Sequence, residues 1–319
     1  MSEPARQNLW ARNWGRAALW LLALITLAGL LLASANLRGV LLEAARLVTP
    51  LSVLATLPGQ AAAALLCAGA LWALKPGVGF GSCFISRLLR DASGNLPVSL
   101  PGSSTVIGAR ALVLAGGETR AAISASALDK IAETIAQFPF IILAAFVLWR
   151  ELRSMITLPE WTVLAVIGGF VVAAIAAAAL WRRFGTGSRF AARISDEWRK
   201  LLGEAKRQRA GFPLCAALHF IAWLAGGVQI WMAALALGFD LTLYEAIAIE
   251  SAAYAGRALF FFIPAGVVSQ EAGLVAAGLL FGLAPAEALA LGFVLRLRDL
   301  LMAAALLLWP WLEWRRKRT

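Results

Sequence analysis

Apolar residues run in long blocks along this chain, and polar residues gather between the blocks. The blocks 17–34, 58–75, 161–181, 213–238, 243–262 and 286–312 are each long enough for a membrane-spanning helix, which needs about 20 apolar residues. So is a helical pattern that opens at Glu118 and reaches Arg150, in which Pro139 predicts a kink. Two further apolar runs, 105–115 and 267–282, are shorter. Each follows a stretch that breaks helices: Pro101-Gly102-Ser103-Ser104-Thr105 in one case, Pro264-Ala265-Gly266-Val267-Val268-Ser269-Gln270-Glu271 in the other. Lipid satisfies no backbone N–H or C=O group, so a broken helix at membrane depth must be buried in protein or line a cavity. Paired interruptions in corresponding parts of two halves point to a transporter's binding site.

This pattern predicts an all-α, polytopic helical membrane protein of two related halves, each with a broken or re-entrant helix. The first half is 1–184, a cytoplasmic linker is 185–210, and the second half is 211–319. Two weaker helical stretches, 36–49 and 79–91, read as interfacial; the second carries Arg87 and Arg90. With both termini in the cytoplasm the number of crossings is even. The seven long runs alone give an odd count, so the short run 267–282 is expected to cross almost completely.

Composition sharpens the class. The chain of 319 residues is 61% hydrophobic, against roughly 45–50% for a soluble domain. Its net charge of +11 would suit nucleic acid, but the basic residues sit at Arg6, Arg12 and Arg16, in 182–210, and in Arg315-Arg316-Lys317-Arg318. That is the distribution of positive charge on the cytoplasmic side of a membrane protein, and it argues against a nucleic-acid partner. The expected location is a membrane, with both termini and 182–210 on its cytoplasmic side. Within the linker, Phe190, Ile194, Trp198, Leu201 and Leu202 recur at helical spacing among Arg193, Arg199, Lys200, Lys206 and Arg207, the pattern of a basic helix lying on an anionic leaflet. Cys67, Cys83 and Cys215 form no disulfide framework and no metal-binding spacing. No cofactor is expected. His219 is the single histidine and reads as a helix-to-helix hydrogen bond rather than a proton relay.

Ionisable side chains inside membrane helices are costly unless paired or hydrated, so they are candidates for function. In the second half Glu250, Tyr254 and Arg257 share one helix face, Glu271 follows the break, and Arg296, Arg298 and Asp299 lie on the last helix. In the first half Arg110 lies on the short run, Glu118 opens the next helix, and Asp129 and Glu133 follow at i, i+4. Two readings remain open for this set. One is a charged cavity that binds a lipid head group, with arginines gripping a phosphate or carboxylate. The other is ion pairing that pins the broken helices together. No GxSxG, HExxH or P-loop motif occurs, so no catalytic residue is assigned. An integral-membrane enzyme modifying a lipid through one carboxylate remains the alternative.

The segment Phe260-Phe261-Phe262-Ile263-Pro264-Ala265-Gly266-Val267-Val268-Ser269-Gln270-Glu271-Ala272-Gly273, with Arg296-Leu297-Arg298-Asp299 after it, resembles the flippase-type membrane domain of the lysylphosphatidylglycerol synthetase family. Asn95-Leu96-Pro97 through Gly108-Ala109-Arg110 to Asp129-Lys130-Ile131 resembles that family's first re-entrant region, except that Ser103-Ser104-Thr105 stands where the family usually has Gly-Glu. This departure and the Ser-Gln-Glu wording look most like the branch associated with bacterial hopanoid biosynthesis. The resemblance implies translocation of a lipid or lipid-linked head group, anionic or hopanoid-related, between leaflets. The sequence ends at Thr319 without an aminoacyl-transferase domain, so lipid lysylation by this chain alone is not expected.

Overall fold

The computed structural model describes residues 35–95, 102–155, 210–259 and 267–316. The expected runs 17–34 and 161–181, nearly all of the 185–210 linker, and the Pro264-Ala265-Gly266 break lie outside the described residues. What is described is helical throughout, with no strand.

Helix α1 is Ala35–Leu47 and α2 is Pro50–Ala73. The second begins eight residues before the apolar run that predicts it, because a capping box fixes its start. Thr49 accepts from the Ser52 N–H at 3.2 Å, Ser52 Oγ accepts from the Thr49 N–H at 3.2 Å, and Pro50 takes the first turn. Helices α3 (Phe80–Gly94) and α4 (Ser103–Leu114) form a hairpin. Ser86 Oγ donates to the Gly108 carbonyl at 2.8 Å, and a Cβ on Gly94 would lie 3.3 Å from Ser104. Gly102 enters α4 at φ 82°, a backbone only glycine adopts freely. Helix α5, Thr119–Met155, carries Pro139 inside it.

The same order then recurs. Helix α6 (Gly211–Leu237) leads to a hairpin of α7 (Leu243–Leu259) with α8 (Val267–Leu280), and α9 (Pro285–Ala303) follows. The close approaches that join α7 to α8 are of one kind. A Cβ on Gly256 would strike the Ser269 carbonyl, and one on Gly273 the Ala252 carbonyl. Small residues let two backbones meet in this way.

The two units meet on α2 and α6, which run antiparallel. Gly59 of α2 lies on Gln229, Gly69 on Leu218, and Gly211 on Ala73, so numbers rise along one helix as they fall along the other. The leading helices of the two units therefore point in opposite senses, as in inverted-repeat transporters. Each unit has its own apolar core: one holds Leu71, Leu112, Leu128 and Cys215, the other Val53, Ile230, Ile249, Leu274 and Leu291. Helices α2 and α6 supply residues to both.

Among the described residues, three helical stretches are long and apolar enough to cross a membrane: Pro50–Ala73, Thr119–Glu151 and Gly211–Leu237. On α5 the large exposed residues Ile135, Phe138, Ile142 and Phe146 form one stripe, while Ala125, Asp129, Ala132, Ala136 and Phe140 are buried on another. That is the division between a lipid-facing side and a packed side.

One expectation changes. The run 286–312 is not one α-helix: a 3₁₀ turn, Ala304–Leu307, separates α9 from α10 (Leu308–Arg316). Pro310 has no N–H to give the Leu306 carbonyl and its ring crowds that oxygen, which accounts for the change of winding just before it. Helix α8 is described over Val267–Leu280, about 21 Å at 1.5 Å per residue.

Candidate functional site

Two buried polar clusters flank the middle of α6. The first is built on α3 and α5. Arg87 and Arg90, one turn apart on α3, are 7% and 6% exposed. Arg90 grips both Asp129 and Glu133 of α5, and Arg87 reaches Glu133 at 3.3 Å and Asp91 at 2.9 Å. Lys130 closes on Glu133 from the surface at 3.4 Å. The expected interfacial role of 79–91 is thus corrected: its arginines do not face a leaflet surface but neutralise two buried acids.

Asp129 also binds α6. His219 Nε2 lies 2.8 Å from Asp129 Oδ1, and the Cys215 thiol donates to the same oxygen at 3.7 Å. With Asp129 accepting, Nε2 carries the imidazole proton, so Nδ1 accepts from the Cys67 thiol of α2 at 3.6 Å. His219 is the helix-to-helix bond that its position suggested. Asp129, Cys215 and His219 present ligand atoms within 4.8 Å of one another, but both Asp129 oxygens are engaged and a guanidinium sits on one of them. That favours a closed ion pair over a cation site.

The second cluster joins α6, α8 and α9. Arg296 donates to Glu271 Oε1 at 2.7 Å, to Gln270 Oε1 at 3.1 Å and to Asp299 at 3.4 Å. Arg298 donates to Asp299 Oδ1 at 2.8 Å and to Gln229 of α6. The Glu271 carboxylate lies over Gly292, where a Cβ would collide with it. Glu271 is the fifth residue of α8, in its second turn rather than the first, so it serves as an ion-pair partner and not as the cap its place after the break suggested.

An aromatic layer separates the clusters. Trp223 of α6 stacks on Phe140 of α5 at 5.8 Å and meets Tyr254 of α7 edge-on at 4.5 Å. Its indole N–H donates to the Glu133 carbonyl at 3.3 Å. Glu250, one turn before Tyr254, turns its carboxyl onto Gly226, where a Cβ would lie 2.7 Å from Oε1. The clusters are placed symmetrically on α6: His219 is eight residues from Gly211, and Gln229 eight residues from Leu237. They stand about 15 Å apart along the axis at 1.5 Å per residue.

The remaining candidates fall elsewhere. Arg110 pairs with Glu313 of α10 at 3.6 Å, partly exposed, and takes no part in the Asp129–Glu133 cluster. Glu118 is exposed before α5. Arg257 is not among the hydrogen-bonded members of the second cluster in the described residues. Glu271, Arg296, Arg298 and Asp299 pair with one another in the described residues, while the break beside them lies outside the described residues. A groove lined by Phe146, Trp149, Arg150 and Arg153 lies at the far end of α5. Sequence reasoning missed Arg87, Arg90 and Gln229. The spacing of the arginines on one helix face, and an amide in an otherwise apolar span, were the available signals.

No curated protein and no solved structure matches the chain. The family model of the lysylphosphatidylglycerol synthase TM region matches residues 96–306. That range takes in both short helices, the long helices after them and the whole second cluster, while α1 to α3, with Arg87 and Arg90, precede it. Well over half of the sequence is therefore accounted for by one membrane domain, and the chain belongs to the lysylphosphatidylglycerol synthase TM region family.

Proposed function

We propose that this membrane protein moves an amphipathic lipid, or a lipid-linked head group, between leaflets, and that it does not itself modify the lipid. The observation that carries the reading is the placement of two buried charge clusters at mirrored depths on α6, each beside a short helix that turns back on its predecessor. Charges at such depth are retained where polar cargo passes. Units whose leading helices run in opposite senses allow one to open as the other closes. Both clusters are closed by their own ion pairs, so a head group would enter by exchanging with them. An anionic group would take the place of Glu271 on Arg296, whose planar guanidinium suits phosphate or carboxylate.

The wording of 264–271 supports a hopanoid-related lipid as cargo, and the placement of the basic residues supports a bacterial inner membrane with both termini and 182–210 on the cytoplasmic side. Leaflet-resolved lipid analysis of cells with and without the protein tests the reading. One lipid should redistribute between leaflets with its mass unchanged. A lipid whose mass depends on the protein would favour the enzyme instead.

A further inference from the structure

Among the described buried acids, Glu250 alone makes no ion pair. In the first cluster Arg87, Arg90 and Lys130 face Asp91, Asp129 and Glu133, three against three. In the second, Arg296 and Arg298 face Glu271 and Asp299, two against two. Glu250 is 4% exposed, and its Oε2 has no hydrogen-bond partner among the described residues. Carboxyl oxygens buried at this depth are normally satisfied, and an uncompensated negative charge there costs several kcal/mol.

We propose that Glu250 is a proton-binding site that couples proton movement to the lipid movement proposed above, on which this inference rests. The carboxylate takes a proton from the aqueous phase on one side and gives it up to the other when the units exchange access. The carboxyl lies against α6 at Gly226, one turn from Gln229, which Arg298 holds. The charged groups around it are Arg298, Asp299 and Arg296 of α9 and Glu271 of α8; on its own helix Tyr254 lies one turn on and Arg257 two turns on, beside Tyr254. Helix α6 turns its His219 to Asp129 instead, and the acids of α5 turn to Arg87 and Arg90. Protonation of Glu250 removes a negative charge from beside Arg296, Arg298, Glu271 and Asp299, and ionisation restores it. Opening of the Arg298–Asp299 pair would offer that charge a partner, so proton release favours an open cluster and proton binding a closed one. A sodium ion suits the site poorly, because a hard cation collects several oxygen ligands, and among the described residues Glu250 Oε2 is the one buried side-chain oxygen without a partner.

The test uses the full chain in vesicles with sodium-free buffer, following lipid movement with and without an imposed pH gradient, beside infrared titration of carboxyl groups in glutamate-labelled protein. The wild type should respond to the gradient and show a protonated glutamate band that Glu250→Gln removes. Glu250→Gln, which mimics the protonated acid, should move lipid at one rate whatever the gradient. Glu245→Gln, at the exposed cap of the same helix, should behave as wild type. Lipid movement indifferent to the gradient, or a gradient response kept in Glu250→Gln, overturns the proton site and leaves the transport reading standing. If no lipid moves in any sample, the transport reading fails, and the infrared band alone decides whether Glu250 binds a proton. Should Glu250→Gln not fold, the gradient response and titrating band of the wild type decide it.

Discussion

Asp129 Oδ1 and His219 Nε2 lie 2.8 Å apart, ninety residues distant in sequence and on different helices. Because Asp129 is held on its other oxygen by Arg90, this contact ties α3, α5 and α6 into one unit at membrane depth. The second cluster ties α6, α8 and α9 in the same manner: Arg298 holds Gln229 of α6, and Arg296 holds Glu271 of α8.

Arg90 is the keystone of the first cluster. Arg90→Met should leave Asp129 and Glu133 short of a partner and lower stability by about 3–5 kcal/mol, the usual result of removing one member of a buried pair. His219→Ala should cost less, about 1–3 kcal/mol, because Asp129 keeps its arginine. Unfolding of both variants in detergent, read by tryptophan fluorescence, checks the order.

The α7–α8 hairpin depends on bare backbone. Gly273→Val would put a branched side chain against the Ala252 carbonyl, where overpacking typically costs about 1–3 kcal/mol and the facing atom here is rigid backbone. Folded yield should drop. Val275→Leu, on the same helix at a partly buried site, should be tolerated. Size-exclusion profiles of the two variants give the comparison.

Arg296 bridges three acceptors, Glu271, Gln270 and Asp299. Lysine keeps the charge but not the fork. Arg296→Lys should therefore fold and yet move lipid more slowly, whereas Asp299→Ala should fail to accumulate, since it strips Arg298 of its carboxylate. Expression level and lipid movement, measured on the same preparations, separate the two outcomes.

The segment 182–210 carries nine Lys or Arg against three acids and should be cytoplasmic. Cysteine placed at Ser188 should resist a membrane-impermeant reagent in intact cells and react once the membrane is opened.

The helical class and the two short runs were legible in the sequence, because block length and Pro-Gly punctuation are local signals. So was the start of α2 in principle: Thr49-Pro50-Leu51-Ser52 spells its capping box, although the apolar run alone places it later. The partners of the charges were not legible. Arg87 and Arg90 carry the sign that marks a cytoplasmic surface, and only the folding of α3 against α5 turns them inward. Asp129 and His219 meet through packing across ninety residues, which no spacing rule encodes. Arg110 and Arg257 resembled cluster members by position alone, and the helices direct Arg110 to α10.

Reconstituted vesicles with a fluorescent lipid quenched from outside decide whether this protein is a lipid translocator. With wild-type protein the quencher should reach lipid first held in the inner leaflet, at a rate that Arg296→Lys reduces, and the lipid should be recovered with its mass unchanged. Quenching that stops at the outer leaflet, as in protein-free vesicles, or lipid recovered chemically altered, would contradict it.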